Sequence, residues 1–119
     1  MLPSSHRKPY QEFQQVLEQM LHSTAGIDFE KSVLRDKFQD LQQLFQSQIT
    51  SLNADDLECE NIFRWQSLQT EIYKQMRLLA TDIMLFQASR SPATSLVRKD
   101  SISDRLKTLI QYCEALLQL

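Results

Sequence analysis

Between Leu57 and Ala88 the apolar positions Ile62, Trp65, Leu68, Ile72, Met76, Leu79, Ile83 and Phe86 recur three or four residues apart, and no Gly or Pro interrupts them. That spacing is one face of a long α-helix. From Leu78 to Phe86 the apolar positions spread over most of the circumference, as expected of a helix with neighbours nearly all round. The stretch therefore predicts the central rod of a helical bundle, a helix over about residues 55–89.

The same period recurs on both sides of the rod. Tyr10, Phe13, Leu17, Met20 and Thr24, widened by Val16 and Leu21, predict a first helix over 5–24. Ser4 or Ser5 is available to cap it, Pro9 fits only if it lies in the first turn, and Gly26 stands where a C-terminal cap belongs. Asp28 is a candidate N-cap for a second helix over 28–52, with Leu34, Phe38, Leu41, Phe45, Ile49 and Leu52 on one face and glutamines on much of the rest. Asn53 to Asp56 read as the break and caps before the rod. Ser91-Pro92 reads as N-cap followed by first helical residue, opening a fourth helix over 92–118. Its inward face is expected to hold Leu96, Ile102, Leu106, Leu109, Ile110, Cys113, Leu116 and Leu117. Short links favour antiparallel neighbours, so the pattern predicts an all-α, antiparallel up-down-up-down four-helix bundle with a long third helix, one domain over residues 1–119.

Composition narrows the function more than it changes the fold. With 42% hydrophobic and 24% charged residues in 119, the chain has enough apolar surface for a single core. A net charge of −2 offers no global field for nucleic acid or an anionic membrane, and no apolar run reaches the length of a membrane span. His6, Arg7 and Lys8 are not followed by the apolar run of a signal peptide, and Cys59 and Cys113 read as reduced thiols, so the expected compartment is the cytoplasm. No cofactor is expected. His6 and His22 have no ligand-type residue one turn away and read as surface or capping histidines. The acids Asp55, Asp56, Glu58 and Glu60 read as dipole complements at a helix N-terminus, because a hard-cation loop needs spaced ligands and usually a turn glycine. Cys113 falls on the apolar face of the last helix and reads as a small core residue.

Two sets of residues stand out as candidate contact sites. Glu71, Lys74, Gln75, Arg77, Thr81 and Asp82 are polar positions within the rod, spaced as one-turn neighbours. They suit a solvated stripe with ordinary ion pairs, a protein-docking face, or the cationic pocket of a small all-α enzyme of chorismate-mutase type, which needs several cations from more than one helix. Ile62, Phe63, Arg64 and Trp65 are four bulky neighbours that cannot all point into one bundle, and Leu78 and Leu85 pose the same question. The surplus is expected in a homodimer or partner surface. Arg90, with Arg98, Lys99, Arg105 and Lys107, gives the C-terminal part a basic tilt without helix-turn-helix spacing or an aromatic platform. The resulting candidate partner-binding residues are Arg64, Trp65, Glu71, Lys74, Arg77 and Arg90, with catalytic and metal-binding sets empty.

The segments LPSSHRKPYQEF, QTEIYKQMRLLATDIMLFQASRSPAT and DRLKTLIQYCEALL resemble the heterocyst frequency control protein PatD family of cyanobacteria across nearly the whole chain. The positions that carry the resemblance are Leu2, Pro3, His6, Tyr10 and Phe13, then Gln69, Thr70, Glu71, Lys74, Arg77, Leu78, Leu79 and Asp82, and finally Tyr112 and Cys113. The resemblance implies a small, non-enzymatic cytoplasmic regulator that limits how many vegetative cells become heterocysts. It also implies a partner, the tubulin-like division protein FtsZ. The alternatives are the chorismate-mutase-type enzyme and a dimeric helical adaptor of another pathway.

Overall fold

The computed structural model describes residues 2–25 and 30–119. Among them four α-helices follow one another, α1 (Ser4–Thr24), α2 (Lys31–Leu44), α3 (Cys59–Ala88) and α4 (Pro92–Leu117), with one π turn, Phe45–Ile49, continuing α2. No strand occurs among the described residues. The bundle is a rod of about 50 × 19 × 19 Å.

Side-chain bonds fix the antiparallel order. Thr24 at the end of α1 meets Ser103 early in α4, Oγ1 to Oγ 3.1 Å, while Arg7 at the start of α1 donates to the carbonyl of Leu117 at the end of α4 at 3.2 Å. Lys31 opens α2 against the last carbonyls of α3, and the carbonyl of Ile49 at the end of the π turn accepts from Gln69 early in α3. The close backbone neighbours are α3 with α4 and α4 with α1, while α2 lies further out from α3. The four-helix bundle with a long third helix expected from the periodicity is the fold.

The core follows the stripes. In α1 the buried set His6, Tyr10, Phe13, Leu17, Met20 and Thr24 runs at spacings of four and three. In α3 it is Trp65, Gln69, Ile72, Met76, Leu79, Ile83 and Phe86, joined by Gln75 and Asp82. Ile62 and Leu68, expected inside, are only partly buried, and Gln69 takes the core position between Trp65 and Ile72. In α4 the buried face begins at Ile102; Leu96, expected inside, is 59% exposed because this part of α4 lies beyond the level at which Thr24 ends α1. Cys113 is buried as expected, and burial pushes its thiol up to about 12.

The helix ends differ from the sequence expectations more than the faces do. Pro3, not Ser4 or Ser5, is the N-cap of α1, and no side chain caps it. His6 and Arg7 instead bond the carbonyl of Pro3 at 3.0 and 2.8 Å. Pro9 lies in the second turn and is buried; α1 runs through it. The rod starts at Cys59 rather than near residue 55, with Glu58 as N-cap and residues 54–57 as a turn. The helix expected over 28–52 is α2 plus the π turn, closed by Thr50 N–H to the carbonyl of Phe45 at 3.0 Å. The caps expected at Gly26 and Asp28 fall outside the described residues. Ser91 caps α4 as expected, its hydroxyl accepting from the Thr94 N–H at 3.1 Å with Pro92 at the first helical position.

Candidate functional site

Two features stand out beside α3. One is a buried polar chain at the lower end of the rod. Trp65 Nε1 donates to Tyr10 Oη at 2.9 Å, Tyr10 Oη donates to Gln69 Oε1 at 2.6 Å, and Gln69 Nε2 donates to the carbonyl of Ile49 at 3.2 Å. The chain ties α1, α3 and the π turn in sequence, and each buried donor finds an acceptor. Burial raises the Tyr10 hydroxyl far above its ordinary pKa, so it stays a protonated donor. Trp65 is therefore a core residue, 6% exposed, and not the surface contact expected from the sequence. The helical turn sends Trp65 inward, leaves Ile62 half-buried and turns Arg64 and Phe63 out, Phe63 to 83% exposure.

His6 packs on the same end, edge-on to the Trp65 ring at a centroid distance of 5.4 Å. It is buried rather than a surface cap, and its Nδ1 has no hydrogen-bond partner among the described residues. Burial lowers its pKa, opposed by a hydrogen bond to the backbone of Asn53 and by the charge of Asp56. Asp56, expected among the dipole acids of the rod, instead accepts from Ser5 Oγ at 3.3 Å.

The other feature is an open groove of about 280 Å³ between the lower half of α2 and α3. The segment made of α2 and the π turn is held to α3 at both ends. At the top, Lys31 Nζ donates to the carbonyls of Ser89 (2.6 Å) and Gln87 (3.4 Å) and lies 5.6 Å from the Phe86 ring centre, while Gln87 Nε2 donates back to the carbonyl of Lys31 at 2.8 Å. At the bottom Gln69 holds Ile49. The groove opens below the Lys31 latch, its floor made by Phe45, Tyr73, Met76 and Ala80 and its rim by Gln42, Gln46, Thr50 and Arg77. Phe45 is fixed from both sides, 5.2 Å from the Tyr73 ring and 5.7 Å from Phe13. It stands in the π turn, whose extra residue per turn widens the helix at that point.

Of the six candidate contact residues, Glu71, Lys74 and Arg77 lie together on the accessible flank of α3. Lys74 and Glu71 approach to 3.9 Å as an exposed one-turn pair, worth a few tenths of a kcal/mol, about what such surface pairs contribute. Arg77 lines the groove, and its main-chain carbonyl accepts from Thr81 Oγ1 at 3.3 Å. Arg64 and Arg90 are exposed near opposite ends of α3, one turn into the helix and just past its end. Gln75 and Asp82, expected in the same polar stripe, turn the other way. Arg105 of α4 donates to Asp82 Oδ2 at 3.0 Å and to Gln75 Oε1 at 3.4 Å, a part-buried clasp that sets α4 against α3. This removes Arg105 from the basic tilt expected of the C-terminal helix.

Among the described residues no three His, Cys, Asp or Glu side chains are grouped to hold a metal ion, and no helix is long and apolar enough to cross a membrane. The groove carries its positive charge from one helix only, Arg77 of α3. What its neutral amides, aromatic floor and lone guanidinium can do is receive side chains of another molecule and pair with a carboxylate. The groove itself was not legible in the sequence, whose only trace of it is the run of glutamines along α2 beside Phe45. No family model, curated protein or solved structure matches the chain.

Proposed function

We propose that the protein is a non-enzymatic regulator that works by docking on another protein through the α2–α3 flank. The observation that carries this reading is the open groove with Arg77 on its rim and Lys74 one turn away, exposed beside an aromatic floor. A dicarboxylate pocket of the chorismate-mutase kind needs cations converging from different helices, and Arg77 stands alone in the groove lining while Arg105 is engaged by Asp82. The resemblance to the PatD family supplies the partner, FtsZ, and with it a place in the control of heterocyst frequency in the cytoplasm of a cyanobacterium. Self-association belongs to the same proposal. Phe63 and Met84, 83% and 64% exposed, are apolar side chains that a second copy would cover.

Co-sedimentation with polymers of purified FtsZ tests the partner. The chain is expected in the pellet, and Lys74→Glu with Arg77→Glu is expected to leave it in the supernatant with its helical circular dichroism unchanged. Pelleting of the reversed variant at the level of the parent would remove the α3 flank from the proposal. A parent chain that never pellets would remove FtsZ. Sedimentation velocity at rising concentration reads the dimer separately.

A further inference from the structure

The groove between α2 and α3 has the makings of a selective site. Its volume of about 280 Å³ sits at the lower edge of the range typical of enclosed ligand pockets, and it is open along one side. That shape suits side chains presented by a backbone lying outside the groove better than a molecule swallowed whole. Along α3 it extends from Tyr73 to Ala80, roughly 10 Å or two helical turns. Two turns is the reach of apolar anchors spaced three or four apart on a docked helix.

Charge decides what stands beside those anchors. Among the described residues Arg77 is the one ionised side chain lining the groove, and no carboxylate lines it. Glu71, on the same helix, is turned to Lys74. The α2 rim, Gln42 and Gln46, is neutral and offers amides to a main chain. The π turn is a second, independent pointer. Such turns occur where a helix departs from regular packing, often at functional sites, and this one places Phe45 in the floor.

We propose that the groove receives a short amphipathic helical segment of a protein partner, with two large apolar side chains on the floor and an Asp or Glu one turn away against Arg77. The proposal rests on the reading of the chain as a protein-docking regulator and names the chemistry of the segment it holds.

The probe is a synthetic helical peptide of about four turns bearing Phe and Leu one turn apart and a Glu on the same face, with a control in which that Glu is Lys. Titrated into the full ¹⁵N-labelled chain, the Glu peptide is expected to shift the amides of Gln42, Gln46, Tyr73 and Arg77, and the Lys peptide to bind about fivefold more weakly. Arg77→Glu is expected to invert that preference, and Ala80→Trp to block both peptides by filling the floor. Equal affinity for the two peptides, or shifts confined to other surfaces, would overturn the assignment. So would decanoate giving the same shifts at no higher concentration, which would make the groove a site for small amphiphiles. Concentration-dependent shifts of the same amides in the protein alone would give it to a second copy and overturn the proposal likewise. If the chain pellets with FtsZ regardless of Ala80→Trp, the groove assignment fails and the docking reading stands. If the peptide binds as described and the parent chain never pellets with FtsZ, the groove assignment stands and FtsZ is removed as the partner.

Discussion

His6 shows how one side chain can carry a solution property of the whole fold. It is nearly inaccessible, stacked edge-on to Trp65, and its Nδ1 has no partner among the described residues. Burial lowers its folded-state pKa below the ordinary 6.5, so the unfolded chain binds the proton more readily. Its contribution to stability is complete above about pH 6.5 and declines as the pH falls through that value toward the lower folded pKa. The urea midpoint should therefore drop between about pH 7.5 and pH 5.5, and His6→Phe should flatten that slope. Tyr10 carries a different kind of load. Tyr10→Phe keeps the ring and leaves Trp65 Nε1 and Gln69 Oε1 buried without their partner. Urea unfolding should register a loss of about 1–3 kcal/mol, the range for orphaned buried polar groups. Both residues were only half legible. The stripe Tyr10, Phe13, Leu17 continued four residues backward lands on His6, but a histidine near a chain end reads as polar until Trp65 is known to cover it.

At the level of the elements, faces were easier to read than ends. The three-and-four spacing fixed which sides of α1, α3 and α4 turn inward because burial of a whole stripe outweighs any single residue. Caps are set by single bonds, and the ones expected for α1 and α3 lost out. The first turn of α1 closes on Pro3, and neither Glu30 nor Glu58 caps with its side chain. The π turn has no distinct sequence mark either, since Phe45 and Ile49 keep a spacing that an α-helix also uses. One bond between elements was equally hidden: Lys31, far from Ser89 in sequence, closes the carbonyl end of α3 with its ammonium. Lys31→Ala should lower stability by about 1–2 kcal/mol, less than a fully buried charged bond because the site is only partly covered. Hydrogen exchange should locate that loss, with α2 amides exchanging faster while those of α1 and α4 keep most of their protection.

Across the whole molecule, α1, α3 and α4 form the close-packed part, α4 lying between the other two, and α2 is the outlying fourth member. The four-helix count and the order of the helices could be read from periodicity alone, but this inequality could not. It depends on where Gln69, Lys31 and Phe45 meet their partners across helices, and on Trp65 keeping its place in the inward stripe although it was also a candidate surface contact. The lopsidedness bears on how much room there is beside α3. A shutter pinned at its top and bottom rails can bow in the middle without leaving its frame. Bowing of α2 would enlarge the cleft while the other three helices stay put, against the core contacts of Leu34, Phe38 and Leu41, so the size of guest it admits is set by those contacts and the two pins as well as by the gap at rest.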